Sequence, residues 1–295
     1  MRLILSRKGF DSSAGGCPSP VFPDGSLYAL PIPDARSGIR YGNITHAGQN
    51  IGGLVEDLTR GKVGSEQGAH LDPDMHFDAL PRQPGWKPLL GQAGAAQGHL
   101  RKQGVQAGDL LLFFGLFRSV EKTDGRWRFV KDAPARHILW GWLAIGEIVK
   151  VDALREGELP WARYHPHFQI GPDAANTLYL AADRLVLEGH SKPLPGAGIF
   201  PHVDPQLVLT RPDSPKATAW QLPHFLYPGS GRTPLSYHSK MERWNPLPEE
   251  GDSDRCHLQC AARGQEFVLN MDEYREASPW LANLISRHGS QGVFE

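Results

Sequence analysis

The sequence predicts an α+β protein with a mixed, barrel-like β core, flanking helices and long loops rich in glycine and proline. The 295 residues include 33 glycines and 25 prolines, about a fifth of the chain against about 12% on average, so turns must be numerous. Two segments within residues 105–152, VQAGDLLLFFGLFRSVE and ARHILWGWLAIGEIVKV, have the length and apolar character of buried strands. Gly141 and Gly146 in the second segment mark bends of the kind that a closing barrel needs. These strands are the predicted barrel core.

The other elements follow from local patterns along the chain. Arg2 to Ser6 predicts a short buried strand that runs into a loop crowded with glycine, proline, serine and aspartate. Helices are predicted within residues 48–60, from apolar residues at helical spacing, and over 89–103, from alanine and leucine content. Short strands are expected at 177–180, 207–210 and 266–269, and an amphipathic helix at 273–287. No linker is evident, so residues 1–295 are predicted to form a single elaborated domain.

Charge and cysteine content exclude several classes of protein. Lys plus Arg number 31 and Asp plus Glu number 32, for a formal net charge of -1. The chain therefore lacks the basic field of proteins that bind nucleic acid or anionic membranes indiscriminately. Three cysteines make a poor disulfide framework. The apolar run from Leu3 to Leu5 is too short for a membrane span or a signal-peptide core, so we expect a cytoplasmic location and no membrane partner.

The loop after the first strand is the first candidate site. It gathers charged and hydroxyl side chains just before a Gly-Gly pair: Ser6, Arg7, Lys8, Asp11, Ser12 and Ser13. The two cations and the hydroxyls could hold a phosphate or carboxylate of a substrate. Asp11 could act as a base or bind a sugar hydroxyl. A surface turn in which aspartate and serine bond their own backbone explains the pattern equally well.

The second candidate is the segment from His70 to His76, with the sequence HLDPDMH. Histidine and aspartate can ligate metals, but the glycine and glutamate spacing of an EF-hand is missing. The sequence favours an Asp-Pro turn, or an acid-base or substrate contact through His70 or Asp72, over a metal ligand. The cluster Cys256-His257-x-x-Cys260 lacks a second distant pair of ligands. No metal site is predicted, and the sequence does not identify a cofactor.

Aromatic side chains in the last barrel strand form the third candidate. Trp140 and Trp142 are two residues apart, so they are predicted to share one face of the strand. That face could be ordinary core, or a wall on which a nucleic-acid base stacks.

Several histidines could act as a general base, since an unperturbed imidazole titrates near neutrality. His137 and His238 are the candidates, and Tyr237 beside His238 is a possible substrate contact. Further histidines occur in Tyr164-His165-Pro166-His167. With 13 histidines in the chain, most must be structural or exposed.

Several blocks of sequence resemble the nucleotide modification associated domain 3 family of bacteria and phages. They are the opening SRKGFDSSAGGCPSPVFPDGSLYALPIPD, AHLDPDM at 69–75, GDLLLFFGLFR at 108–118, HILWGWLAIGEI at 137–148 and GQEFVLN at 264–270. The resemblance implies an association with nucleic-acid base modification and assigns no catalytic residue. Residues 108–148 are also similar to PUA-like barrels, including ASCH and EVE domains, which implies a small barrel that binds RNA or a modified base.

These observations lead to two main functional hypotheses. The protein is either an enzyme that acts on a nucleotide or base, as a transferase or hydrolase, or a non-catalytic reader of modified bases in DNA or RNA. A partner-binding component of a modification or restriction system is a third hypothesis. If the N-terminal loop and the 70–76 loop face one pocket together with the Trp140 strand, a single active or binding site is supported.

Overall fold

The computed structural model describes residues 1–229, 231–246, 254–262 and 264–290. Its α-helices within these ranges are α1 (Gly52–Thr59), α2 (Gly94–Lys102) and α3 (Ala277–His288), and none of them is both long enough and apolar enough to cross a membrane. The strands are β1 (Arg2–Arg7), β2 (Ser19–Val21), β3 (Ile32–Pro33), β4 (Thr45–His46), β5 (Gln49–Asn50), β6 (Ala69–His70), β7 (Leu89–Gln92), β8 (Leu110–Thr123), β9 (Arg126–Phe129), β10 (Arg136–Lys150), β11 (Thr177–Ala181), β12 (Arg184–Leu185), β13 (Leu194–Pro195), β14 (Ala197–Ile199), β15 (Ala219–Pro223), β16 (Trp244–Asn245), β17 (Arg255–Gln259) and β18 (Glu266–Asn270).

A nine-stranded mixed sheet forms the centre of the fold. Its main path runs β18-β1-β8-β10-β11-β7, with β2 and β9 paired to β8 and β14 paired to β10. β1 and β2 run parallel to β8, while β10 runs antiparallel to it. β1 and the first half of β8 are buried at nearly every position, which explains why the sequence of these strands is continuously apolar rather than alternating.

The predicted closure into a PUA-like barrel does not occur. In the described residues the path ends at β18 on one side and at β7 on the other, so the large sheet is open. The two long strands expected within residues 105–152 are present as β8 and β10 and lie at its centre. The register of β10 shifts between Leu139 and Gly141 and again between Ile145 and Glu147. The two glycines therefore accompany bulges, which bend the strand without closing the sheet.

The first bulge separates the two tryptophans that were expected to share a face. Trp142 is paired with Leu112 of β8, so the two side chains lie on the same face of the sheet. Trp140 instead stacks on Phe113, at 5.3 Å between ring centroids, and Phe113 points to the opposite face from Leu112. One extra residue in the strand thus reverses the orientation of the side chains that follow it, as far as the second bulge.

The predicted helix over 89–103 is a strand followed by a helix. Leu89–Gln92 is buried at every position and pairs with β11, and α2 begins only at Gly94. Burial against the sheet outweighs helix propensity for these four residues. The presence of a strand here instead of a helix matters for the site, because it places Gly91 and Gln92 at the end of a sheet strand.

Candidate functional site

A polar cleft of about 480 Å³ opens where β1 and β7 end. Its lining brings together the N-terminal loop and the 70–76 loop, through Arg7, Lys8, Asp11, Ser13, His70 and Asp72, and adds Gly91, Gln92, His167 and Ile170. A second groove of about 550 Å³ lies along α3, but its lining contains only one histidine and one carboxylate. We therefore place the candidate site in the first cleft, where the two loops singled out by the sequence meet.

Asp72 lies at the centre of a cluster of three imidazoles. Its Oδ2 is 3.5 Å from Nε2 of His70 and 3.5 Å from Nε2 of His167. Its Oδ1 is 3.5 Å from Nε2 of His165 and accepts a hydrogen bond from the backbone N–H of Gly91 at 2.7 Å. The carboxylate is almost fully buried, with 6% of the side chain exposed.

Both histidines that line the cleft are held from behind by side-chain oxygens. Nδ1 of His70 lies 2.9 Å from Oδ2 of Asp34. Nδ1 of His167 lies 2.6 Å from Oδ1 of Asn176, whose side-chain N–H donates to the backbone oxygen of His167. These contacts orient the two rings so that each presents Nε2 to Asp72. The three atoms that face one another lie within 4.8 Å, so His70, Asp72 and His167 could hold a metal ion.

The charges of the cluster are strongly coupled. Burial disfavours the carboxylate form of Asp72, but the imidazoles of His165, His167 and His70 lower its pKa well below the usual value. Burial likewise disfavours the charged form of His70, but Asp72 and Asp34 outweigh it and raise the pKa of the imidazole. Asp72 is thus held as an anion inside the protein, the kind of arrangement that is concentrated at functional sites.

Backbone pairing between strands that are distant in the sequence brings the cluster together. The ladder between β3 and β6 pairs Ile32 with His70 and so carries Asp34 to the His70 ring. The 70–76 loop is pinned to β7 by two backbone hydrogen bonds between Asp74 and Leu89. This pairing brings Gly91, two residues after Leu89 on β7, close to Asp72, and its backbone N–H donates to Oδ1 of Asp72.

The N-terminal loop is partly a turn and partly a wall of the cleft. Oδ1 of Asp11 accepts hydrogen bonds from the backbone N–H and hydroxyl of Ser13 and from the N–H of Ala14, so the aspartate closes its own turn. Asp11 and Ser13 nevertheless line the cleft, whereas Ser12 is exposed and does not.

The two cations of this loop have different partners. The Arg7 guanidinium donates to the backbone oxygens of Ala261 and Ala262 and forms no ion pair within the residues that the structure describes. Lys8 forms an ion pair with Glu266 at 3.0 Å, and Gln92 also donates to that carboxylate. The Arg7 charge thus remains uncompensated by a neighbouring carboxylate at the wall of the cleft.

The remaining sequence candidates lie away from the cleft or at its margin. His137 is buried against Phe114, and its Nδ1 accepts a hydrogen bond from the indole N–H of Trp220. His238 is buried, and its Nε2 accepts from the backbone N–H of Ala261. Both are core histidines in the described structure; Nδ1 of His137 and both ring nitrogens of His238 are already engaged.

The aromatic candidates likewise contribute little to the cleft. Trp142 is fully buried and its indole N–H donates to the backbone oxygen of Pro195. Trp140 borders a cavity of about 10 Å³ beside Asp72, enough for about one water molecule. Tyr237 is 51% exposed and contacts the ring of His99, next to Gly264 at the margin of the cleft.

Three neutral histidines, two of them buried and His46 half-buried, predict an acid-sensitive fold. Burial is the main cause that lowers the pKa of His137 to about 3, and those of His46 and His238 to about 4. Between pH 6.5 and pH 5 the unfolded chain takes up protons at these positions and the folded chain does not. The free energy of unfolding should therefore decrease as the pH is lowered. The slope of this decrease should approach about 1.4 kcal/mol per pH unit for each histidine.

Urea unfolding at pH 7, 6 and 5 measures this fall directly. His70 works in the opposite direction, because its pKa is raised. It is one group against these three and against His76, His99 and His165, whose pKa values burial also lowers. Carboxylates with lowered pKa values, such as Asp34 and Asp72, change the stability only below this pH range. A stability that is constant from pH 7 to pH 5 would contradict the assignment of these histidines as neutral in the folded chain.

Sequence reasoning did not single out several residues of the cluster. His167 was noted only as one of several histidines, because 95 positions separate it from Asp72. Asp34 and Asn176 belong to loops with no distinctive motif. The one available signal was that two segments, His70-x-Asp72 and His165-x-His167, each carry metal-ligating residue types at alternate positions.

Comparison with known proteins gives one match. The family model for nucleotide modification associated domain 3 matches residues 2–270, a range that contains every residue of the cleft. No curated protein and no solved structure matches the chain. The match supports a role in nucleic-acid base modification and assigns no reaction.

Proposed function

Since the chain belongs to the nucleotide modification associated domain 3 family, we propose that it is an enzyme that binds a nucleotide or nucleic-acid base in the cleft and modifies it. The observation that carries the proposal is the buried Asp72, surrounded by histidines, in the same cleft as Arg7 and Lys8. The reaction would be group transfer or hydrolysis, and Asp72 with His70 would form its reactive centre.

The lining of the cleft fits a small polar ligand with an apolar face. Its volume of about 480 Å³ lies within the range of about 300–1,000 Å³ typical of small-molecule sites. Arg7 supplies a positive charge that would attract a phosphate or another anionic group. Ile32 and Ile170 supply apolar surface, against which a planar base could pack.

The alternative of a non-catalytic reader has less support from the geometry. The expected aromatic wall is not present, because Trp142 lies in the core and Trp140 faces a cavity too small for a base. A reader also has no need for an anionic carboxylate buried among imidazoles, which is costly to desolvate. A cluster of this kind is better explained by chemistry at the site.

The test is binding of nucleotides, nucleosides and modified bases, measured by thermal shift and calorimetry. Ile170→Glu places a negative charge at the cleft and should weaken binding of an anionic nucleotide at least about 10-fold, because like charges repel in a partly desolvated site. Ile148→Glu is the matched control, since Ile148 is exposed on β10 and absent from the cleft lining.

Each outcome of this test bears on the proposal. Stabilisation by one class of nucleotide, reduced by Ile170→Glu and retained in Ile148→Glu, would support a ligand in the cleft. A ligand at 100 times its dissociation constant should add about 2.7 kcal/mol of stability. Absence of any shift, or equal loss in both variants, would overturn the assignment of the nucleotide to this cleft.

A further inference from the structure

We propose that His70, Asp72 and His167 bind one divalent transition-metal ion, through Nε2, Oδ2 and Nε2, with an open coordination position that faces the cleft. The inference deepens the proposed function, on which it rests for its role in catalysis, but metal binding can be tested without any nucleotide. The ligands come from two distant parts of the chain, β6 with the loop after it and the short segment after Tyr164.

The first argument is distance. Oδ2 of Asp72 lies 3.5 Å from each Nε2, longer than the roughly 2.7–2.9 Å of a charge-assisted hydrogen bond between imidazolium and carboxylate. Two ligands about 2.1 Å from one zinc ion in tetrahedral geometry are about 3.4 Å apart. The separations therefore suit atoms that share an ion better than atoms that share a proton.

The second argument is the tautomer of each histidine. A carboxylate only accepts hydrogen bonds, so Nδ1 of His70 must carry the proton in its 2.9 Å contact with Asp34. The amide of Asn176 donates to the backbone oxygen of His167, which leaves its oxygen to accept from Nδ1 of that histidine. With Nδ1 engaged in this way, each ring in its neutral form directs the lone pair of Nε2 at Asp72. A metal ion bound here would take the place of any proton on Nε2 of His70 and accept the lone pairs of all three ligand atoms.

The third argument is the support behind the ligands. Metal-ligating histidines usually donate their other ring N–H to a carboxylate or carbonyl oxygen, which fixes the ring and raises its basicity. Asp34 and Asn176 do this for His70 and His167. The Gly91 N–H occupies Oδ1 of Asp72 and leaves Oδ2 as the ligand.

His165 completes the surroundings without being a ligand. Its Nδ1 accepts from the backbone N–H of His167, so in the neutral ring Nε2 carries the proton. That N–H lies 3.5 Å from Oδ1 of Asp72, on the other oxygen from the one that faces His70 and His167. His165 thus approaches the carboxylate at Oδ1, on the side away from the three atoms that would share an ion, and makes no hydrogen bond to it in the described residues.

Donor type and access identify the class of metal. Two imidazole nitrogens and one carboxylate oxygen suit zinc, iron(II), cobalt or manganese, whereas magnesium and calcium prefer oxygen ligands alone. All three ligand residues line the open cleft, and three protein ligands with one free position are typical of a catalytic rather than a structural site. At that position a bound water would be acidified within reach of a ligand in the cleft.

The experiment uses the full chain, stripped with a chelator and titrated with zinc and with cobalt(II) in the absence of nucleotide. Calorimetry and elemental analysis measure the stoichiometry, and visible absorption of the cobalt form reports its coordination.

We expect one ion per chain and a rise in thermal midpoint of several degrees. Asp72→Asn keeps the shape of the side chain and should weaken zinc binding at least about 100-fold, as should His70→Gln. His190→Gln, in the separate groove along α3, is the control and should bind as the unmodified chain does.

Thermal midpoints of the chelated proteins separate a lost site from a lost fold. If either ligand variant melts like the chelated parent and has lost only the increment due to metal, the site is supported. The proposal is overturned if the parent binds neither ion stoichiometrically, or if both ligand variants bind as tightly as the parent, which would locate the ion elsewhere. Nucleotide binding without metal binding would refute the metal site alone, and metal binding without nucleotide binding would refute the proposed function alone.

Discussion

Replacing Arg82 with methionine should lower the free energy of unfolding by about 3–5 kcal/mol, the cost of leaving a buried charge without its partner. Arg82 and Asp74 form a bidentate pair, with both nitrogen–oxygen distances at 2.7 Å. Only 2% of the Arg82 side chain and none of the Asp74 side chain is exposed. Arg82 also donates to the backbone oxygens of Phe77 and His76, so methionine leaves several buried acceptors unsatisfied.

Denaturant unfolding measures the effect against two controls. Lys87→Met removes the ion pair between Lys87 and Asp183, which are 47% and 82% exposed, and should change stability by no more than about 1 kcal/mol. The double variant Asp74→Asn with Arg82→Met should recover part of the loss, because it removes the unpaired charge. Similar small effects for Arg82→Met and Lys87→Met would show that the buried pair is not required.

The same pair connects the two halves of the candidate site. The Tyr164 hydroxyl donates to Asp74 at 2.5 Å and accepts from Arg82 at 2.8 Å. Asp74 follows Asp72 by two residues, and Tyr164 directly precedes His165. Arg82→Met should therefore also weaken ligand binding in the cleft, even under conditions where the chain stays folded.

Gly91→Ala should weaken binding at the cluster. A Cβ at this position would lie less than 3.0 Å from atoms of the His167 ring, including Nε2, a separation that real side chains do not adopt. His167 would have to turn away from Asp72, and we expect zinc affinity and any activity to fall at least about 10-fold. Glycine here allows β7 to approach His167 while its N–H donates to Asp72.

Gly98→Ala is the matched control for this substitution. Gly98 lies within α2, and nothing is within 4 Å of an added Cβ. Alanine should therefore stabilise the chain by about 0.5–1 kcal/mol and leave the cleft unchanged. Calorimetric zinc titration of both variants measures the affinity of the cluster, and thermal unfolding measures their stability. Equal zinc affinity in Gly91→Ala and the parent would contradict the role assigned to His167.

Local sequence patterns were sufficient to predict many of the strands, helices and loops of this protein. The length and apolar character of β8 and β10, the first strand, α1 and the loops that border the cleft all follow from short stretches of sequence. Burial and hydrogen bonding within a few residues decide such features, so one segment contains the necessary information. The quoted blocks also indicated the family, and the family model matches residues 2–270.

Long-range packing determined the features that the sequence did not predict. The bulge near Gly141 sends Trp140 and Trp142 to opposite faces, and the sheet stays open because its edge strands β18 and β7 do not meet in the described residues. Asp72 is joined to His167 only because β7 pairs with β11 and also with the 70–76 loop. Register between strands depends on contacts made across the whole fold. The residue types that could build a site were therefore visible in the sequence, whereas their meeting around one carboxylate was decided by tertiary structure.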